Sequence, residues 1–272
     1  MRKLSGWGAA WLVGCALAGS GCITKKPATA HTFVSTPRAV SELKRGWAEA
    51  VVGDYPVMAY MARESTGTLE VVHEQFDPSP FGIGVKKGNT ALASSVTAAL
   101  RKTMLDTTYM DILRNWAIHI GKIDPPAMPG VVPETKDVPA FADGKLNVGM
   151  ELAFAPMEFY DEFKHEAGAD IELAQALAKT LGLDLVVENM PFDDLLPSLE
   201  SGKVDIVISA MTITPERAAK ADFIPYMMAG TGILVKLGNP AKIRRLHDLC
   251  GKIVALQEGT AQVGIVQQIN CD

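Results

Sequence analysis

Short apolar runs alternate along the chain with segments in which apolar residues recur every three or four positions. Residues 204–208 form an apolar run that is rich in β-branched residues and short enough to be a buried strand. Leu92, Val96, Leu100 and Leu105 instead have the spacing of one helix face. Because such strands and helices alternate throughout, the pattern predicts an α/β fold.

The pattern also gives approximate bounds for each element. Strands are predicted at 32–34, 48–53, 69–72, 81–85, 146–149, 183–188, 204–208, 230–235 and 253–256. Helices are predicted at 36–45, 56–62, 91–105, 109–118, 170–181, 193–200 and 259–269, and one more begins at residue 215. Residues 121–143 interrupt the alternation because they are rich in proline and aperiodic, which is typical of a linker. A structured loop packed on a domain is the alternative for this segment.

The end of the 204–208 strand carries the first candidate chemistry. Polar residues follow it, and Pro215 suits the first turn of a helix with Thr214 as its N-cap. Open α/β sheets bind ligands at the carboxyl ends of their strands. Arg217 offers a planar fork of donors that suits a carboxylate. Taken alone, Arg217 is equally well a surface residue at an ordinary helix start.

The N-terminal residues 1–22 have the features of an export signal. Arg2 and Lys3 precede an apolar stretch that is too short to span a bilayer comfortably. Small residues follow and end in Cys22, which we expect to be lipidated. Cys15 is the alternative lipidation site, and an ordinary cleaved secretory signal is a further alternative. Each of these predicts a mature protein in the periplasm or at the cell surface, anchored by lipid if a cysteine is modified.

Composition narrows the remaining classes. The chain has 272 residues, 48% of them hydrophobic and 21% charged, which is typical of one large or two modest globular domains. A formal net charge of −5 and the lack of a Lys/Arg stripe argue against a nucleic-acid partner. Cys250 and Cys271 are candidates for a disulfide in an oxidising compartment, although their spacing alone does not prove one. The five histidines are scattered, so neither a metal site nor another cofactor is expected.

Four segments carry a family resemblance. They read NVGMELAFAPMEF, DIELAQALAKTLGL, PFDDLLPSLESGKVDIVISAMTITPERAAKADF and LCGKIVALQEGTAQ. In this order they resemble the bacterial extracellular solute-binding proteins of family 3, the amino-acid receptors of ABC importers. The resemblance implies a two-lobed periplasmic-binding-protein fold of type II, with mixed sheets and a hinge of crossing strands.

The N-terminal part of the chain, which we call the front, resembles the remaining segments of that family's sequence, but these segments occur here in a different order. GWAEAVVGDYPVMAYMA, FDPSPFGIGVKKGN and ALASSVTAALRKTMLDTTYMDILRNWA resemble segments that the family carries after the four above. We therefore expect a circular permutation. A fragment that folds by exchanging halves with another chain is the alternative. The expected units are 30–80 as the second half of lobe 2, 81–120 as the closing part of lobe 1, 121–143 as the linker, 144–235 as the main part of lobe 1, and 236–272 as the first half of lobe 2.

The resemblance also implies a ligand site between the lobes. Arg217 would bind the α-carboxylate of an amino acid, with help from Thr212 and the backbone N–H of Thr260 at a helix start, and Asp54 would bind the α-ammonium. The other implied contacts are Ser209 and Ala210 at the strand end, Phe154 and Phe192 around the ligand side chain, Gln262 at the helix start, and Glu151 at the base of the side-chain pocket.

Each of these residues also has an ordinary structural explanation. Asp54 precedes a helix and suits an N-cap, while Phe154 and Phe192 suit the core. Glu151 would equally serve as a solvated loop acid. In the ligand site, Glu151 would favour a cationic or amide side chain. The family often has threonine where this chain has Ala261, so one hydroxyl donor to the ligand is missing.

The function expected from these observations is that of a binding protein, not of an enzyme. It would capture a polar or basic L-amino acid and deliver it to an ABC permease in the membrane, acting as a monomer. A dehydratase-like catalytic relative is the alternative, and Glu151 and Glu258 would then be its candidate acid or base. A sensor domain is disfavoured because it would need a membrane span and an output module.

Overall fold

The computed structural model describes residues 26–73, 75–118 and 123–272, so Cys15 and Cys22 lie outside the described residues. The strands are β1 Thr29–Phe33, β2 Ala50–Asp54, β3 Leu69–Val71, β4 Phe76–Lys86, β5 Lys145–Met150, β6 Ala153–Phe154, β7 Glu158–Tyr160, β8 Glu166–Ala167, β9 Asp184–Asn189, β10 Ile206–Val207, β11 Ala221–Lys236 and β12 Ile253–Gln257. The α-helices are α1 Thr36–Arg45, α2 Tyr55–Glu64, α3 Thr90–Leu105, α4 Thr108–Asn115, α5 Ala169–Leu181, α6 Leu195–Ser201, α7 Pro215–Lys220 and α8 Ala261–Gln267.

The main sheet is mixed and has the strand order β1-β12-β2-β11-β4-β10-β5-β9, with β3 paired to β11. Strands β1, β12 and β2 are parallel to one another, as are β10, β5 and β9. Strands β4 and β11 run antiparallel to each other and to the strands that they join. The predicted α/β class with a mixed sheet is therefore confirmed.

Two long strands, β4 and β11, connect the two groups of parallel strands. We call these groups lobe 1 (β10, β5 and β9) and lobe 2 (β1, β12 and β2). Strand β11 pairs with β4 from Ala221 onward and then with β2 over Thr231–Leu234. Strand β11 extends beyond the predicted residues 230–235, and β4 extends beyond the predicted residues 81–85. The pattern did not reveal their full length because Pro78, Pro80 and Pro225 interrupt the apolar runs.

The portions of the chain before and after residues 119–122 fold into the same sheet. Strand β1 pairs with β12 from Thr29↔Ile253 to Phe33↔Gln257. On the other lobe, the Tyr109 hydroxyl of α4 donates a hydrogen bond to the Tyr226 carbonyl of β11 at 2.7 Å. Both portions also contribute to the apolar cores. A single cluster contains Leu43, Leu92 and Leu100 from the front and Leu146, Val148 and Leu177 from the rear.

Lobe 2 has a separate small core of Ala50, Val52, Ile233, Val235 and Leu256 and their neighbours. The C-terminal segment is held against this lobe by a disulfide between Cys250 and Cys271. The pairing of these two cysteines, left open by the sequence, is thus confirmed.

The segment predicted as a linker contains some local structure. Short 3₁₀ helices occupy Thr135–Asp137 and Pro139–Phe141, and the side chains of Val138 and Phe141 are buried. A three-stranded sheet of β6, β7 and β8 follows β5 and was not predicted, because its strands are too short for an alternating pattern to be visible. Within the described ranges, no helix combines the length and apolar character that a membrane crossing requires.

Candidate functional site

The predicted ligand contacts meet in one pocket between the lobes. All of them except Ser209 line it, together with two residues that were not predicted, Gln257 and Ala261. The pocket is lined by Asp54, Glu151, Phe154, Phe192, Ala210, Thr212, Arg217, Gln257, Thr260, Ala261 and Gln262.

Strand ends and helix starts position the charged and polar groups. Asp54 is the last residue of β2 and directly precedes α2, but its side chain makes no capping hydrogen bond to that helix. Its carboxylate therefore points to other partners, and the simple N-cap explanation does not apply. Arg217 lies in the first turn of α7, where the N-cap Thr214 accepts a hydrogen bond from the Arg217 backbone N–H at 3.3 Å. The predicted capping role of Thr214 is therefore observed.

Asp54 is buried, and within the described ranges one side chain donates a hydrogen bond to it. Gln262 Nε2 donates to Asp54 Oδ1 at 2.7 Å. Burial raises the pKa of Asp54 to about 7, against the opposing effects of the Gln262 hydrogen bond and the Arg217 charge. The carboxyl is therefore about half ionised near neutral pH. A cation brought next to it would favour the ionised form.

Arg217 spans the space between the lobes. Its Nη1 donates to the Thr212 carbonyl at 2.6 Å, and its Nη2 donates to the Gly259 carbonyl at 2.9 Å. The guanidinium carbon lies 5.1 Å from the centroid of the Phe192 ring, as in a cation–π contact. Burial lowers the pKa of Arg217, and the carboxylates of Asp54 and Asp193 oppose that effect. An arginine stays protonated under these conditions, so the pocket has one fixed positive charge.

Glu151 and Gln257 form the end of the pocket that adjoins a second cavity. Gln257 Nε2 donates to Glu151 Oε2 at 2.6 Å. Gln257 Oε1 accepts from the backbone N–H and the hydroxyl of Thr36, at 3.0 and 2.8 Å. Burial raises the pKa of Glu151, and the charges of Asp193 and Glu258 raise it further. Gln257 was missed in the sequence, although its position as the last residue of β12, at a carboxyl edge, was the available signal.

The walls of the pocket are close together. The free space between the walls has room for about one water molecule. At Gly259 the lobes touch: this residue has a φ of +71°, and a Cβ there would collide with the Asp193 carboxylate. Glycine is therefore required at this contact. Entry of a molecule the size of an amino acid requires the lobes to separate.

A second cavity of about 550 Å³ adjoins the pocket and shares Glu151, Phe192 and Gln257 with it. Asp193 and Glu258 also line this second cavity. It therefore continues the Glu151 end of the pocket toward two further carboxylates. Among the residues that the structure describes, no group of three or more His, Cys, Asp or Glu is arranged to hold a metal ion.

Ser209 lies behind the wall of the pocket. Its hydroxyl donates to Glu158 Oε1 at 2.6 Å and accepts from the Glu151 backbone N–H at 3.1 Å. The neighbouring Ala210 lines the pocket with a φ of +42°, and its backbone N–H donates to Asp170 Oδ2 at 2.8 Å. The predicted contact of Ser209 with a ligand stays a prediction.

Comparison with known proteins identifies the central part of the site. Residues 146–269 match the model of the bacterial extracellular solute-binding proteins, family 3. These residues, which we call the family 3 segment, are similar to the members of that family. The family 3 segment contains every predicted ligand contact except Asp54, which the front of the chain supplies. The resemblance inferred from the motifs is thus confirmed for this segment.

The relatives of the family 3 segment bind amino acids. The chain is 40% identical over 118 residues to the L-cystine-binding protein TcyJ of Escherichia coli (strain K12), covering 43% of this chain and 44% of that protein. It is 39% identical over 118 residues to the arginine-binding extracellular protein ArtP of Bacillus subtilis (strain 168), covering 43% and 46%. The chain therefore spans less than half the length of these curated relatives.

Among solved structures, the arginine-bound form of truncated ArgBP from T. maritima is 45% identical in the aligned part. The alignment covers 29% of this chain and 37% of that one, with a TM-score of 0.28.

Proposed function

We propose that this protein captures a free L-amino acid outside the cytoplasm and presents it to an ABC-type importer. The observation that carries this proposal is that Asp54 and Arg217, of opposite charge, line the same pocket between the lobes. An α-amino acid is a zwitterion, so burying it is favourable only where both of its charges meet partners. In this proposal Arg217 binds the α-carboxylate and Asp54 the α-ammonium.

The polar network of the closed pocket supports this assignment. Arg217 Nη2 now donates to the Gly259 carbonyl, and a ligand carboxylate would replace that acceptor with a stronger, charged one. Thr212 and the backbone N–H of Thr260 would add donors to the same carboxylate. A ligand ammonium would likewise give the buried carboxylate of Asp54 a partner of opposite charge. The ligand would therefore pull the lobes together by contacts that reach both of them.

The Glu151 end of the pocket favours a polar or basic ligand side chain. Glu151 has two acidic neighbours, Asp193 and Glu258, whose charges act on it. A guanidinium or ammonium group in this region would relieve that repulsion. Phe154 and Phe192 would contact the apolar stem of the side chain. The names of the relatives, which bind arginine, cystine and histidine, agree with a polar or basic ligand.

We further propose that the front of the chain completes the receptor in permuted order. Strands β1 and β2 pair with β12, and β4 pairs with β10 and β11, so that strands from before the linker alternate in the sheet with strands of the family 3 segment. In this proposal a single chain forms both lobes and acts as a monomer. Exchange of halves between two chains is the competing arrangement. Light scattering distinguishes them, because exchange predicts a dimer.

The proposed cellular setting is the periplasm or the cell surface. The disulfide between Cys250 and Cys271 suits an oxidising compartment. Lipid attachment at Cys22 would tether the receptor close to the permease that is its proposed partner. Mass spectrometry of the membrane fraction tests this modification, since only a lipidated cysteine carries the added acyl mass.

Thermal-shift screening against the twenty amino acids tests the proposed binding. We expect one ligand or a small group of polar or basic ligands to raise the melting temperature, with calorimetry giving a micromolar or tighter Kd, worth roughly −8 kcal/mol or more. Mass spectrometry of the incubated ligand should show it unchanged. Consumption of the ligand would favour the dehydratase-like alternative, and the lack of any response would contradict the proposal.

A further inference from the structure

Two carboxyl groups face each other in the core of lobe 1, behind the pocket wall. Glu158 begins β7, Asp170 lies in the first turn of α5, and both side chains are fully buried. The Asp170 backbone N–H donates to the carbonyl of Met157, the residue before Glu158, at 2.8 Å, and the two carboxyl groups are close enough to act on each other's pKa. Neither is among the proposed ligand contacts. Two carboxylates so close to each other in a buried site do not both ionise, so one proton must lie between them.

Burial raises the pKa of Asp170 to about 6, and the donors around its carboxylate oppose this rise and favour the ionised form. The Ala210 backbone N–H donates to Asp170 Oδ2 at 2.8 Å. The Tyr226 hydroxyl lies 2.9 and 2.8 Å from the two carboxylate oxygens of Asp170. The position of Asp170 in the first turn of a 13-residue helix adds the favourable effect of the helix dipole on a negative charge.

The surroundings of Glu158 favour its protonated form. Its Oε1 accepts a hydrogen bond from the Ser209 hydroxyl at 2.6 Å. Its Oε2 is buried and has no hydrogen-bond donor among the described residues. A proton on Glu158 Oε2 satisfies both groups at once. Protonation turns this oxygen from an acceptor without a donor into a donor to the Asp170 carboxylate.

We propose that Glu158 is a protonated positioning residue that ties the pocket wall to the start of α5. The connected groups run from the Glu151 backbone through Ser209, Glu158 and Asp170 to the Ala210 backbone. The pair therefore connects two points of the wall, the backbones of Glu151 and Ala210. The expected effect of the Glu158–Asp170 pair on ligand affinity rests on the proposed function, whereas the position of the proton does not.

The local backbone brings the two carboxyl groups together. Gly168, the N-cap of α5, has a φ of +128°, and a Cβ at this position would collide with the Met157 carbonyl. The start of α5 therefore lies directly against the residue that precedes Glu158. This close approach allows a contact between the two side chains that a larger residue at position 168 would prevent.

Among the residues that the structure describes, the titratable groups that act on the pair are acidic or phenolic. They are Tyr226 from β11, Glu151 after β5 and, behind Tyr226, Tyr109 from α4. Burial and the nearby carboxylates raise the pKa of Glu158, and burial also raises the pKa of both tyrosines. Because the folded protein holds this proton more tightly than the unfolded chain, the stability that it contributes falls as pH rises through the raised pKa of Glu158.

Amide substitutions in the whole protein test where the proton resides. Glu158→Gln keeps a neutral donor toward Asp170, so we expect a melting temperature within about 3 °C of the wild type. Asp170→Asn removes a buried charge that its donors are arranged to bind, and we expect a loss of roughly 10 °C. Glu162→Gln, at an exposed turn, is the matched control. A tolerated Asp170→Asn with a destabilised Glu158→Gln would overturn the proposal, as would equal effects of the two substitutions.

Infrared spectroscopy and binding complete the test. At neutral pH we expect the wild type to show a carbonyl band of a protonated carboxylic acid that Glu158→Gln lacks. The contribution of Asp54 is common to both proteins and cancels in the difference spectrum. With L-arginine as the probe, Glu158→Leu should weaken binding at least tenfold, and Glu158→Gln should restore most of it. A missing band, or equal affinities of the Leu and Gln variants, would contradict the proposal. If the wild type binds no amino acid, the proposed function fails, while the melting temperatures and the band still decide the protonation.

Discussion

Gln262 Nε2 donates to Asp54 Oδ1 at 2.7 Å, although the two residues are 208 positions apart in the chain. Asp54 lies outside the family 3 segment, and Gln262 lies within it. The hydrogen bond therefore joins the front of the chain to the pocket of that segment. It also holds Asp54, whose pKa is raised, in the pocket that Arg217 lines as well. This relationship is the structural basis of the proposed zwitterion site.

Replacing Arg217 removes the fixed positive charge of the pocket. We expect Arg217→Ala to weaken ligand binding by at least 100-fold, because a buried ligand carboxylate would lose its charged partner. Arg217→Lys should still lose at least tenfold, since an ammonium does not reproduce the planar fork. Calorimetric titration measures both effects. The control is Arg114→Ala, which alters an exposed ion pair with Asp111 and should leave the affinity unchanged.

Glu151 is expected to set the preference for the ligand side chain. Glu151→Gln should weaken binding of arginine and lysine by at least tenfold, while glutamine should bind as well as before or better. Ranking the twenty amino acids by thermal shift for the wild type and the variant measures this change. Glu200→Gln, at an exposed position of α6, is the control. An unchanged ranking in Glu151→Gln would show that this carboxylate does not contact the ligand.

Ligand affinity should depend on pH through Asp54. Because burial raises the pKa of Asp54 to about 7, the free protein binds a proton there that a ligand ammonium would displace. Affinity should then fall about tenfold for each pH unit below about pH 7 and level off above it. Calorimetry from about pH 5 to about pH 8 tests this, and a flat profile would contradict it.

The stability of the ligand-free protein should show the opposite trend. The folded pKa of Asp54 lies above its value in the unfolded chain, so the folded state holds the proton more tightly between about pH 4 and about pH 7. Over that range, Asp54 should make unfolding easier as the pH rises. Asp54→Asn should remove this contribution, which chemical denaturation of both proteins at several pH values measures.

The disulfide should stabilise lobe 2. Cys250 and Cys271 are 21 residues apart, and closing a loop of this size stabilises a fold by roughly 3 kcal/mol in the chain-entropy model. We expect the Cys250→Ser/Cys271→Ser double variant to be destabilised by about that amount in chemical denaturation. A reducing agent should destabilise the wild type similarly and should leave the double variant unaffected. Equal responses of both proteins to the reducing agent would contradict this prediction.

The extent to which the sequence predicted the structure differs from element to element. Local signals predicted helix α1, which has a proline in its first turn and ends before Gly46. They also predicted the N-cap of α7. The lengths of β4 and β11 do not follow from such signals, because crossing strands contain prolines and polar residues that local patterns read as breaks. Their continuation depends on pairing partners that are distant in sequence.

The site shows the same limits. Arg217 and Asp54 were accessible from strand ends and from the family resemblance. Gln257 was missed because its role comes from two distant partners, Thr36 and Glu151, rather than from a local motif. The Glu158–Asp170 pair was missed for a similar reason, since the proximity of two acids 12 positions apart depends on the path of β7, β8 and α5.

The central claim is that the front of the chain supplies the acid of the amino-acid site. Calorimetric titration of L-arginine into the wild type, Asp54→Asn and the exposed control Asp77→Asn tests it most directly. The account predicts micromolar or tighter binding for the wild type and for Asp77→Asn, and a loss of at least 100-fold for Asp54→Asn. Binding to Asp54→Asn that equals the wild type would contradict it.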